Sequence, residues 1–276
     1  MARTWLTRTA REGGGMNLTA LTETVLAQRQ ERMHDVGPSL RGVGSARFQL
    51  SGGTLMVGYA QPRAGKIDEF IERINRYARD RWLAVQWTIT RGRDDAQMEA
   101  ALIAHRYTLR ETLRMMGEIG ELVPPQQPLP NVRVTPATTL AQMQSYERIS
   151  SWSFGHQPNP SLDHLLVRGR ERWEEQQARW YQYYLGYLNG EPVSGAYVSL
   201  WERVPTIYGV ATLPAARQRG VAGQVLRELV HATLLSGYNW TCLYVTLGNP
   251  AENLYRSLGF TALLEQSTYH WGDVRW

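Results

Sequence analysis

Cysteine is almost missing from this chain of 276 residues: Cys242 stands alone, so no intramolecular disulfide can form, and a reducing compartment is expected. Lysine is equally scarce. Lys66 is the only one among 30 basic side chains, and a GC-rich genome explains that deficit more simply than arginine-specific recognition does. No apolar stretch approaches the ~20 residues of a membrane span, and the first residues lack the apolar region of a signal peptide. A soluble, cytoplasmic protein with no membrane partner is therefore expected. The six histidines are scattered, without His-Glu-x-x-His or paired cysteines, so no metal site is expected. A Gly-x-Ser-x-Gly elbow, a Gly-Lys-Ser/Thr phosphate loop and a full Gly-x-Gly-x-x-Gly are also missing, which sets aside those hydrolase and nucleotide motifs.

What the chain does have is core material: 43% hydrophobic and 10% aromatic residues, in a length that admits two domains. Net charge is +5, but the arginines are dispersed rather than gathered on one helix, so no nucleic-acid partner is expected. Residues 1–15, rich in arginine and ending in Gly13, Gly14 and Gly15, carry no periodicity and are expected to form a disordered tail. The proline-rich segment 123–131 is stiff and can continue neither helix nor sheet. It predicts a linker between a domain at 16–122 and a second at 132–276.

The most informative stretch lies in the second domain. A strand at 207–212 is stopped by Pro214, and from Gly220 the apolar residues Val221, Val225, Leu226, Leu229 and Val230 recur at helical spacing. Gly220 thus falls at a helix N-terminus, where the first backbone N–H groups lack intrahelical partners and the helix dipole is positive. Such a turn can cradle a phosphate or simply connect two elements tightly. Small residues at Gly220, Ala222 and Gly223 would let an anion approach the backbone, and Arg217 and Arg219 add charge. Farther on, 239–246 reads as a buried strand, 247–250 as a turn, and 252–258 as a short helix closed by Gly259 before Phe260.

Together these elements resemble the GNAT superfamily of acyl-CoA-dependent N-acyltransferases, over roughly residues 131–276. The family's cradle pattern, Arg/Gln-x-x-Gly-x-Gly/Ala, is matched by Arg217-Gln218-Arg219-Gly220-Val221-Ala222. Its later pattern, an Asn-led turn and then Leu-Tyr-x-x-x-Gly-Phe, is matched by Asn249 and by Leu254, Tyr255, Gly259 and Phe260. The N-terminal half carries a faded copy: a strand at 55–59, a helix at 67–78, a strand at 82–90 and a helix at 95–105. There Leu102 stands where Tyr255 does, and the turn at 61–66 lacks the cradle pattern. The expected fold is α/β (α+β), a tandem of two GNAT-like domains, each a mixed, mostly antiparallel sheet flanked by helices. The first domain is expected to be degenerate and not to bind acyl-CoA.

The resemblance implies an acetyl-CoA-dependent acetyltransferase that acts directly on a primary amine of a small molecule or peptide, with no metal and no protein nucleophile. The donor would lie along Val210, Ala211 and Thr212, with a backbone N–H near Val210 polarising its carbonyl. Its phosphates would meet Arg217, Gln218, Arg219, Gly220, Val221, Ala222 and Gly223, and Asn249 would hydrogen-bond the coenzyme arm. Asn249 lies one residue closer to Tyr255 than the family pattern has it, and Asn253 could substitute. Tyr255 stands at the place of the general acid, because a phenol is protonated at neutral pH and can donate to the departing thiolate. Where many members carry an acidic residue on the strand before the cradle, this chain has Tyr208 and Gly209, so no general base is assigned. Glu147, Glu202 and His156 are alternatives, the two glutamates reading more simply as solvated charges. Trp152, Phe154 and His156 are expected to wall the acceptor site, and Cys242 to be core. A non-catalytic acyl-CoA-binding module is the competing reading, and the sequence leaves oligomeric state open, a homodimer included.

Overall fold

The computed structural model describes residues 17–32, 37–92, 96–118, 129–154, 161–177, 181–200 and 204–271. The tail at 1–15, most of the linker, His156 and Glu202 lie outside them. The elements of the first half are α1 (Leu18–Arg32), β1 (Gly44–Ser51), β2 (Thr54–Pro62), α2 (Ile67–Arg79), β3 (Ala84–Thr90), α3 (Ala96–Ala104) and β4 (Thr108–Glu118). The second half follows with β5 (Val132–Pro136), α4 (Leu140–Ser153), α5 (Leu162–Gln177), β6 (Tyr181–Leu188), β7 (Glu191–Ser199) and β8 (Thr206–Thr212). Then come α6 (Val221–Leu235), β9 (Thr241–Thr246), α7 (Ala251–Ser257) and β10 (Thr261–Trp271).

By contacts the chain divides into two compact units. The C-terminal unit is built on Met116–Tyr244 and Pro250–Thr261, and the N-terminal unit on Thr22–Met115 with Val245–Asn249 and most of β10. Each has a mixed sheet flanked by helices, as the sequence predicts. The sequence divides the chain once, at 123–131; by contacts the last strand belongs with the first unit.

In the N-terminal unit the strand order is β1-β2-β3-β10-β4. Gly52 and Gly53, at φ 53° and 78°, make the two-residue turn between β1 and β2, which right-twisted strands favour. β2 runs parallel to β3 from Thr54 to Val57, and β10 lies antiparallel to β3 from Gln266 opposite Thr90 to Trp271 opposite Val85. Amphipathic α2 buries Phe70, Ile71, Ile74 and Ala78 on this sheet, around a fully buried Trp87.

In the C-terminal unit the order is β9-β8-β7-β6-β5. β5 to β8 are successively antiparallel, Asn189 and Gly190 turn β6 into β7 with φ of 53° and 88°, and β9 joins β8 in parallel. Helices cover both faces. Val221 and Val225 of α6 fill the space left by Gly186 on β6, while Tyr146 of α4 lies over Gly195 on β7. α4 opens with a capping box: Gln142 N–H donates to Thr139 Oγ1 at 3.3 Å, and Thr139 N–H to Gln142 Oε1 at 3.1 Å. Met143, Tyr146, Ile149, Tyr183 and Leu185 form the core beneath it. Cys242 is fully buried, as expected of a core residue.

Candidate functional site

β8 is irregular on both of its edges. Toward β9, the parallel register holds only at Thr206 with Cys242 and Ile207 with Leu243, although β8 continues to Thr212. Just past the last pair, the rings of Tyr208 and Tyr244 stack at 6.5 Å. Toward β7, Tyr208 faces Tyr197 and Ala211 faces Gly195, so Gly209 and Val210 both stand opposite Ala196. That is a β-bulge, and Gly209 adopts the left-handed φ of 60° that a residue without Cβ tolerates. A strand edge that stops pairing next to a bulge leaves room for a ligand to run along the backbone.

The end of β8 is tied down on several sides. Ser194 Oγ donates to the Ala211 carbonyl at 2.8 Å and lies 2.8 Å from Thr212 Oγ1. The Thr212 carbonyl accepts from Arg217 Nε at 3.1 Å and Ser153 Oγ at 3.4 Å. Ser153 is the last residue of α4, so the exposed Trp152 and Phe154 flank the same strand end.

A 3₁₀ turn at Pro214–Ala216 leads to the cradle. Gln218 and Gly220 are both left-handed, at φ 60° and 76°, and Gly220 caps α6 without any side-chain hydrogen bond. The first helical bond runs from Gln224 N–H to the Gly220 carbonyl at 3.1 Å, so the amides of Val221, Ala222 and Gly223 have no intrahelical acceptor. No acidic residue sits in the first turn of α6, leaving the positive end of the dipole uncompensated from within the helix. Arg217, Gln218, Arg219 and Gly220 are exposed. Leu129 packs where a Gly220 Cβ would stand.

α7 is seated beside this turn, with Leu254 Cδ1 3.6 Å from the Cβ position of Gly223. Its Tyr255 is 5% exposed and packs edge-on against Phe260 at 6.3 Å. Burial pushes the Tyr255 phenol up to about 12, so it carries its proton through neutral pH. Asn249 donates its backbone N–H to the Thr246 carbonyl at 3.0 Å in a turn through left-handed Gly248, and by contacts this turn belongs to the N-terminal unit.

Glu147 departs from expectation. It is 5% exposed rather than solvated, and accepts from Arg172 Nε at 3.2 Å and from Ser151 Oγ at 3.1 Å, with His164 Nε2 also 3.2 Å away. Burial alone would raise its carboxyl, but Arg172, His164 and Ser151 together hold it below the usual range. The cluster bolts α4 to α5. Sequence reasoning also misses Tyr146, whose hydroxyl donates to the Gly209 carbonyl at 3.1 Å, and the row of tyrosines stacked across the strands, Tyr183 on Tyr197 at 4.8 Å and Tyr197 on Tyr208 at 5.6 Å. The run of tyrosines at 181–184 is the only local signal of that row.

The N-terminal unit repeats the plan with altered residues. Tyr59 and Ala60 of β2 both face Ala46, a second bulge, with Tyr59 at φ 52°. Gly65 is left-handed before α2, and a cavity of about 620 Å³ opens among Tyr59, Arg63, Gly65, Gln97 and Met98. Here, however, Asp68 and Glu69 occupy the first turn of the helix, and Leu102, fully buried, replaces the tyrosine. Among the described residues, no group of three or more His, Cys, Asp or Glu is placed to hold a metal ion, and no helix is long and apolar enough to cross a membrane.

Residues 179–262, which span β6 to α7, match the family model described as an acetyltransferase (GNAT) domain. Over these residues the chain is similar to a GNAT domain. No curated protein matches it significantly. Among solved structures, a GCN5-related N-acetyltransferase from Kribbella flavida shares the fold at a TM-score of 0.61 and 16% identity, covering 92% of this chain and 95% of that one. A GCN5-related N-acetyltransferase from Sphaerobacter thermophilus gives 0.60 at 18% identity, over 83% of this chain and 76% of its own. A tandem GNAT protein from the clavulanic acid biosynthesis pathway gives 0.60 at 13% identity, over 92% and 96%. The match of the GNAT model ends at the start of β10, so Thr22–Met115 of the N-terminal unit lies outside it and only Val245–Asn249 and Ala262 of that unit fall within it.

Proposed function

We propose that this protein transfers an acetyl group from acetyl-CoA directly to a primary amine of a small molecule or peptide, and that the C-terminal unit performs the chemistry. The observation that carries the reading is a single continuous path: a bulged, one-sided strand edge at 208–212 leads into a helix N-terminus with three amides that have no intrahelical acceptor and no acidic residue in its first turn. The coenzyme diphosphate accepts from the amides of Val221, Ala222 and Gly223, with Arg217, Gln218 and Arg219 around it. The acyl arm lies along Val210, Ala211 and Thr212.

The amine nitrogen attacks the thioester carbonyl carbon while Val210 N–H stabilises the oxygen as it gains charge. The C–S bond then breaks, its electron pair leaves with sulfur, and Tyr255 donates a proton to the thiolate. The nitrogen loses its extra proton to solvent or to a base. Trp152 and Phe154 wall the acceptor side, and Asn249 or Asn253 serves the coenzyme arm. In the N-terminal unit the first-turn carboxylates and Leu102 take the place of the anion site and the acid, which supports a tandem GNAT arrangement with a degenerate, non-binding first unit.

The test is release of coenzyme thiol from acetyl-CoA across amines, amino acids, aminoglycosides and peptides. Acceptor-dependent release is expected. Binding of acetyl-CoA with no release on any acceptor would instead support a non-catalytic coenzyme-binding module.

A further inference from the structure

Tyr146 has no exposed surface and is enclosed on every side. Its ring meets Tyr183 edge-on at 5.1 Å and Tyr197 at 6.2 Å, and the Arg172 guanidinium, itself held by Glu147, stands 5.7 Å from its centre. Two glycines on neighbouring strands make room for it. A Cβ at Gly195 would lie 2.8 Å from Tyr146 Cδ2, and one at Gly209 would collide with the Tyr146 hydroxyl. The ring therefore has one place to be, and that place aims its hydroxyl at the carbonyl of Gly209, 3.1 Å away.

That carbonyl sits in the bulge, where the β7 ladder is interrupted. It shares one planar trans peptide with the N–H of Val210, and the two groups of such a unit point in opposite directions. Fixing one fixes the other. A left-handed glycine next to a bulge is otherwise free to turn its peptide, because no Cβ restricts it.

We infer that Tyr146 is a positioning residue for acyl transfer: its hydroxyl holds the Gly209 carbonyl and thereby sets the direction of the Val210 amide that polarises the thioester. The inference rests on the proposed role of Val210. Tyr146 touches neither donor nor acceptor and acts through one peptide group. Burial raises its phenol well above the ordinary tyrosine value, so the hydroxyl remains a donor throughout the working range of pH.

Tyr146→Phe keeps the ring in its enclosure and removes only the donor. In the full-length protein, kcat is expected to fall about tenfold or more while KM and Kd for acetyl-CoA stay within about twofold. The decisive readout is the infrared carbonyl stretch of bound acetyl-CoA labelled with carbon-13 at the carbonyl. In the wild type it should lie below that of the free coenzyme, and in Tyr146→Phe it should return toward the free value. An unchanged kcat with an unchanged stretch overturns the inference. A wild-type stretch equal to that of free coenzyme overturns the role of Val210 itself, and Tyr146 with it. Should Tyr146→Phe fail to fold, 3-fluorotyrosine installed at position 146 keeps the ring and makes a stronger donor; a stretch displaced from the wild-type value supports the inference, and one that does not move overturns it.

Discussion

Tyr255 has two properties that a general acid needs: it is sequestered from bulk water and it keeps its proton, since burial alone lifts it to about 12. Tyr255→Phe should therefore lower kcat by ~10²–10⁴-fold, the ordinary worth of general acid catalysis, with Kd for acetyl-CoA nearly unchanged. Steady-state kinetics beside calorimetry measures both, and an unaltered kcat removes Tyr255 from the mechanism. The same shift fixes the pH profile. The phenol loses its proton only near its raised value, so kcat should show no descending limb below about pH 10 that belongs to Tyr255. A limb near pH 8 that disappears in Tyr255→Phe would contradict the environment described for this residue. The sign for stability is the same: a phenol raised on folding contributes fully below the unfolded value of about 10, and the contribution is lost as pH rises toward 12.

Among the elements, α6 and the α4–α5 pair carry the account. Gly220 is left-handed at the start of α6, and Leu129 already fills its Cβ position, so Gly220→Val combines backbone strain with a collision at the cradle. Coenzyme affinity should fall at least about tenfold, measured by calorimetry, while the helix itself persists by circular dichroism. The clamp between α4 and α5 is a stability feature. Glu147→Ala removes the nearer carboxylate of the Arg172 guanidinium, which is only 18% exposed and keeps Glu175 at 3.9 Å, and should cost about 3 kcal/mol in denaturant unfolding. Because Glu147 is held below the usual carboxylate range, its contribution is present above the unfolded value of about 4.3 and is lost as pH falls through the depressed folded value. Wild type and variant should thus converge in stability under acid.

What the sequence makes legible here is local. The strand into a glycine turn into a helix, the cap at Gly220 and the motif around Tyr255 each depend on a few adjacent residues, and all fold as their pattern predicts. What depends on distant pairing is not legible. Tyr146 reaches Gly209 across 63 positions, and only the register of β7 with β8 reveals that Gly195 and Gly209 leave a place for its ring. Glu147 has the same cause: a carboxylate on a helix reads as solvated until the helix packed against it brings an arginine. The alternating pattern of β4 and β10 is interrupted by charged residues, and neither strand declares its partner.

For the whole molecule the consequence concerns the two units. The N-terminal unit completes its sheet with β10, so a fragment ending at residue 122 would lack an internal strand, and the coenzyme-binding question belongs to the intact chain. The repeated bulge and the cavity of about 620 Å³ give the first unit the outline of the second. Asp68 and Glu69 at its helix start and the absence of the cradle pattern set their chemistry apart, since a phosphate would meet carboxylates there rather than bare amides. One donor site per chain is therefore predicted, at the start of α6. The measurement is a calorimetric titration of acetyl-CoA into the full-length protein and its Gly220→Val variant. A stoichiometry of about one, weakened at least about tenfold by the substitution, is the predicted result; two sites per chain, or binding indifferent to Gly220, would contradict it.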